Sequence, residues 1–154
     1  MLDRFKHLLC FVLPASTFLF LVTGQHGILG VLGWSIPFWL VLLADWLSPP
    51  YKPTSNTTIP RSFYDGILSA LAFLQLANLF FMLRYVSQLR WESYEDIVIS
   101  LANLVAVRFL VGTSSGTSGI VVAHELIHRT HAIWQMLGRL LLCTVCYEHF
   151  VIAH

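Results

Sequence analysis

The stretch IVISLANLVAVRFLVGTSSGTSGIVVA, residues 97–123, decides what kind of protein this is. It runs for 27 residues and holds one charged side chain, Arg108. As a single helix it would reach about 40 Å, longer than the ~30 Å hydrocarbon core of a bilayer. That reads as a membrane passage with length to spare. Its second half, Gly112-Thr113-Ser114-Ser115-Gly116-Thr117-Ser118-Gly119, is built from small residues. Two readings are open there. The G-x-x-x-G spacing of Gly112 and Gly116 lets a neighbouring helix approach closely, or the helix breaks and lines a cavity. Arg108 is either ion-paired inside the bundle or snorkels to a membrane surface.

The rest of the chain calls for the same solvent. Of its 154 residues 56% are hydrophobic and 11% charged, against about 25% charged in an ordinary soluble domain. This excludes a disordered tail and a coiled coil. A net charge of +1 provides no basic face for phosphates, so no nucleic-acid partner is expected. Leu8 to Val22 carries no charge and follows Arg4 and Lys6. A signal peptide has that layout too, but Asp3 and the lack of a small-x-small cleavage site favour a first membrane helix, kinked at Pro14. Ile28 to Ala44 is a second span. The short link Thr23 to Gly27 makes the two an antiparallel hairpin. Four prolines between Ser48 and Arg61 mark a loop. Ile67 to Leu83 is a third span, Arg84 to Asp96 a polar connection, and Ile97 to Ala123 the fourth passage.

The expected fold is therefore all-α, one transmembrane domain over residues 1–154, with about four spans plus a C-terminal interfacial or re-entrant helix. Positive charge sets its orientation. Arg4, Lys6, Lys52, Arg61, Arg129 and Arg139 fall on one side, and only Arg84 and Arg90 on the other. The N-terminus and the histidine motifs are then cytoplasmic in an integral, multi-pass membrane protein.

Chemistry is concentrated in the last thirty residues. His124-Glu125-Leu126-Ile127-His128 places two imidazoles at i and i+4 on one helical face, with His131 at i+7. A lone histidine in a membrane helix is most often a packing residue, whereas a row of them at a membrane boundary points to metal ligation. Beyond a turn around Arg129 to Gly138, the apolar part of the last segment, Leu140 to Tyr147, is too short to span. It lies along the interface or turns back within it, so that His149 and His154 share the site. Glu148 is the one nearby downstream carboxylate. H-E-x-x-H is also the zinc protease signature, with Glu125 as catalytic general base. The competing reading is a histidine-rich iron site. Imidazole suits either metal, but zinc has no redox chemistry with which to activate O₂. Cys143 and Cys146 form a lone C-x-x-C, read as small residues in a helix interface.

Residues 119–129, GIVVAHELIHR, then Leu137-Gly138-Arg139-Leu140, then residues 147–154, YEHFVIAH, strongly resemble the membrane-bound alkane 1-monooxygenases of the fatty acid desaturase and hydroxylase superfamily. Ala44-Asp45-Trp46-Leu47 is similar to that family as well. By this resemblance His124 and His128 match both ligands of the first histidine box, and His154 matches the first histidine of the second. Ala153 stands where the family has glutamate. His149 matches a common family position without being a clear ligand, and His131 matches no box. The third box is absent, so the domain is expected to be an incomplete desaturase-like one, the N-terminal part of a longer enzyme-like chain. The resemblance implies two irons that activate O₂, and hydroxylation of an alkane or fatty acyl chain entering from lipid. It also implies electrons from an external rubredoxin- or ferredoxin-like carrier. Three histidines are too few for two irons, so a non-catalytic membrane fragment is the alternative, with the zinc protease third.

Overall fold

A computed structural model describes residues 7–48 and 60–147. Among them there are helices and no strand. The first apolar run forms a 3₁₀ turn, Leu9–Phe11, and then α1, Val12–Val22. Pro14 has no N–H to give the Cys10 carbonyl, so a regular α ladder cannot pass through this point. The effect expected of Pro14 is thus a tightened turn. The link Thr23 to Gly27 turns at Gly24, whose φ of +86° suits glycine. Then follow α2, Ile28–Leu47, and α3, Arg61–Ser87. A single helical run from Tyr94 to Ile127 comprises α4, Tyr94–Ser114, a π-helical segment, Ser115–Ile120, and α5, Val121–Ile127. The last element is α6, Ala132–Thr144.

The expected multi-pass helical bundle is what forms. Among the described residues three helical stretches are long and apolar enough to cross a membrane: Ile28–Leu47, Arg61–Ser87 and Tyr94–Ile127. Leu9–Val22 and Ala132–Thr144 are shorter apolar helices, so the described part of the first expected span is below crossing length. The polar connection is also shorter than expected. The α3 helix continues through Arg84, and Ser93 caps α4 by accepting from the Asp96 N–H at 3.1 Å. Glu95 and Asp96 sit in the first turn of α4, where the helix dipole favours acidic groups.

The interior holds two apolar clusters with a polar layer between them. Phe20, Leu21, Tyr85, Val107 and Leu110 pack at the end of the bundle that carries the α1–α2 link. Leu71, Ala72, Val122, Leu126 and Leu142 pack at the other end. Between them Thr17, Gln75, Asn78, Ser114, Ser115 and Ser118 are all buried. The outside is apolar: Leu29 is 85% exposed, Val105 68% and Phe73 66%, and α2 buries no residue at all. Water would penalise such a surface, whereas lipid does not.

Two expectations change. A side chain added at Gly112 or Gly116 would meet open space, so these glycines face outward and make no close helix contact. Arg108 is exposed on the same helix, which removes the internal ion pair. Close approach occurs instead at Gly138, inside α6. There a Cβ would lie 2.8 Å from Ile127 Cγ2 and 2.9 Å from the Ala123 carbonyl. The turn expected over Arg129 to Gly138 is consequently short, because α6 starts at Ala132 and crosses α5 at this glycine.

Candidate metal centre

The α5 helix carries His124 and Glu125 and ends on His128, which has φ −83° and ψ 0° and leaves the helix. The imidazoles of His124 and His128 lie on one face with ring centroids 4.7 Å apart and planes at 71°. Nearly perpendicular rings at that spacing can turn one nitrogen each toward a common ion. Glu125 Oε1 is 4.0 Å from His124 Nδ1, and the two side chains are 57% and 42% exposed. Both donors are therefore accessible from outside the bundle.

The turn after His128 is fixed on two sides. Arg129 Nη1 lies 2.8 Å from Asp65 Oδ1 at the start of α3, and Gln135 Nε2 donates to the Arg129 carbonyl at 2.8 Å. His131 is placed beyond that turn. It is the N-cap of α6, and its Nδ1 accepts from the Ile133 N–H at 3.4 Å. The expected i+7 continuation on the same face fails because α5 stops at Ile127 so that α6 can cross it at Gly138. Among the described residues no three His, Cys, Asp or Glu side chains converge as a metal-binding group. Glu148, His149 and His154 lie outside the described residues, as does the loop over residues 49–59.

The two cysteines are not interface residues either. Cys143 and Cys146 are exposed. Cys146, with φ +56°, is the left-handed residue that ends α6, and Tyr147 N–H closes the turn on the Leu142 carbonyl at 3.0 Å.

A cavity of about 420 Å³ lies against the helical run that carries the histidines. Cys10, Leu13, Leu68, Leu71, Thr117 and Val121 are among its lining residues. Val121 is one turn before Glu125, so the cavity and the histidine pair follow one another along one helix. Sequence reasoning did not identify this lining, nor the polar residues behind it. Gln75 and Asn78, three residues apart in the apolar run from Ile67 to Leu83, were the available signal.

No family model matches the chain, and no solved structure matches it. Among known proteins it is similar to alkane 1-monooxygenase 2 of Pseudomonas aeruginosa, 32% identical over 123 residues, which are 78% of this chain and 32% of that protein. It is also similar to alkane 1-monooxygenase 1 of the same organism, 52% identical over 44 residues, 29% of this chain and 12% of that protein. A third similarity is to alkane 1-monooxygenase 2 of Alcanivorax borkumensis, 24% identical over 149 residues, 93% of this chain and 37% of that protein. The chain thus spans little more than a third, or less, of the length of the curated relatives it matches. These partial similarities support the alkane 1-monooxygenase family as this chain's relatives.

Proposed function

We propose that this chain belongs to a membrane di-iron oxygenase that hydroxylates an alkane or fatty acyl chain with O₂. The observation that carries the reading is the His124–His128 pair on one face of a helix whose preceding turns line an apolar cavity. The similarity to proteins named alkane 1-monooxygenases supports it. His124 and His128 would hold iron, with His149 and His154 as further ligands from the segment that follows; His131 caps a helix and is the weakest candidate. Bound iron supplies the activation of O₂ that imidazoles alone cannot.

The chain's own residues do the rest. Leu13, Leu68, Leu71 and Val121 line an apolar surface that suits an alkyl chain. The α3 and α6 helices hold the turn after His128, through Asp65 and through the crossing at Gly138. Glu125 is exposed beside His124, its carboxylate 4.0 Å from the ring, and is open to approach from outside the bundle. The N-terminus and the histidines lie on the cytoplasmic side, where a rubredoxin- or ferredoxin-like carrier would deliver electrons.

The test is metal analysis of the purified protein, together with an assay for terminal hydroxylation of an alkane or fatty acyl chain supplied with O₂ and a reduced carrier. Iron bound at fewer than two per chain and lost in His124→Ala is the expected result, because these histidines are too few for two irons; any alcohol formed should disappear in the same variant. Bound zinc, with peptide cleavage lost in Glu125→Gln, would replace this reading with a metalloprotease. No metal bound at all would leave a non-catalytic membrane fragment.

A further inference from the structure

The buried face of the long helical run repeats every four residues. Ala106, Leu110, Ser114, Ser118, Val122 and Leu126 are all buried, and so are Val107, Val111, Ser115, Gly119 and Ala123. An α-helix turns 100° per residue, so each four-residue step overshoots by about 40°, and five steps drift by about 200°. A regular helix would turn this stripe steadily around its axis, whereas α3 touches all three parts of the run. The π-helical segment Ser115–Ile120 offsets about half of this drift, because one inserted residue takes back about 100°.

The segment is held from α3 by one side chain. Gln75 is fully buried. Its Nε2 donates to Ser115 Oγ at 2.6 Å, and its Oε1 accepts from Ser114 Oγ at 3.1 Å. Both functions of the carboxamide thus engage the junction where α4 passes into the π segment. Within the helix Ser118 Oγ donates to the Ser114 carbonyl at 2.6 Å, and such back-bonding competes with the regular ladder. Gly119 lies against the same carboxamide, where an added Cβ would touch it at 3.6 Å. Leaving these groups unpaired in an apolar interior is costly, so their bonds favour the turn in which they form.

His124 and His128 come directly after this segment. We propose that Gln75 is a positioning residue: by holding the π turn it sets the rotation of α5, and hence the face on which His124 and His128 are presented. This rests on reading those two histidines as ligands, but its test needs no metal.

Nitroxide labels at Val121→Cys and Phe73→Cys, both exposed positions, report the rotation by dipolar EPR in lipid nanodiscs, with Cys10, Cys143 and Cys146 replaced by serine. Loss of the inserted residue would swing α5 by about 100°, so Gln75→Leu should shift the mean distance by more than about 3 Å. Ser115→Ala, a milder change that keeps the fold if Gln75→Leu does not, should shift it in the same direction. Asn78→Leu is the control. It removes another fully buried carboxamide of α3, one that donates to the Pro14 carbonyl at 3.0 Å and not to the π segment, and should leave the distance unchanged. Unchanged distances in both Gln75→Leu and Ser115→Ala, or an equal shift in Asn78→Leu, overturn the proposal. A metal titration of the wild type decides the ligand reading separately.

Discussion

At one end of the bundle His26 is locked into the fold. Its backbone N–H donates to Asn103 Oδ1 at 3.1 Å, and its carbonyl accepts from Asn103 Nδ2 at 2.6 Å. Its ring Nε2 lies 3.1 Å from the Phe20 carbonyl and 3.2 Å from Thr23 Oγ1. A carbonyl only accepts, so Nε2 carries the hydrogen. The ring stacks on Phe20 at 4.8 Å. At the other end His124 and His128 face each other at 4.7 Å, with His124 42% exposed. The first histidine ties the α1–α2 link to α4, whereas the other two are kept at an accessible surface. What separates a structural histidine from a candidate ligand in this bundle is its surroundings in the fold.

The largest expected effect breaks the comparison if it fails. His124→Ala or His128→Ala should weaken binding of a divalent ion at least about a hundredfold, since a lost ligand costs more than the 10–100-fold typical of a ligand's supporting partner. His26→Ala should leave metal affinity unchanged and lower the thermal unfolding midpoint in detergent. Calorimetric titration and a melting curve on each variant check both halves. Equal metal loss in His26→Ala would mean that the two ends are coupled.

Next comes Asn103, the hub of the structural end. It is fully buried, bonds both His26 backbone groups, donates to the Ile99 carbonyl at 2.8 Å, and accepts from the Tyr85 hydroxyl. Asn103→Ala strands those partners and should cost about 2–3 kcal/mol, below the sum of its parts because an unfolded state in lipid also finds partners. The melting midpoint should fall while metal affinity at the far end stays constant.

These two ends were not equally legible. The His124–His128 pair is a local pattern, and four residues on a helix are enough to place it. The role of His26 was not readable, because Asn103 is 77 positions away. His131 was assigned to the ligand face on the assumption that the helix continued, and its end at Ile127 is set by a crossing at Gly138 that no local pattern announces. Gly112 and Gly116 have the right spacing for a close contact, but spacing does not say which face of the helix meets a neighbour. The π segment depends on Gln75, some 40 residues earlier. The helical class and the solvent were legible because composition and run length depend on no partner.

Gly138 sharpens the comparison from the accessible side. Gly138→Ala places a methyl 2.8 Å from Ile127 Cγ2 and 2.9 Å from the Ala123 carbonyl. The backbone oxygen cannot yield cheaply, so α6 must move away from α5. Overpacking of this kind costs about 1–3 kcal/mol. Because α5 carries the histidines, metal affinity should fall along with stability, unlike the response to Asn103→Ala. A lowered midpoint with unchanged metal binding would show that the crossing supports only the fold.

The smallest effect belongs to Asp65 and Arg129. Their 2.8 Å pair ties the start of α3 to the residue after His128, but the side chains are 40% and 19% exposed. Exposed pairs are worth about 0–1 kcal/mol and fade with salt. Asp65→Asn should therefore lower stability by about 0.5 kcal/mol at low ionic strength and less at high. A double-mutant cycle with Arg129→Gln isolates the pair from the separate bond between Gln135 and the Arg129 carbonyl. If the coupling energy instead exceeds the cost of Gly138→Ala, the ion pair rather than the helix crossing holds the turn at His128. The accessible end of the bundle would then be fixed by charge, as the His26 end is fixed by hydrogen bonds.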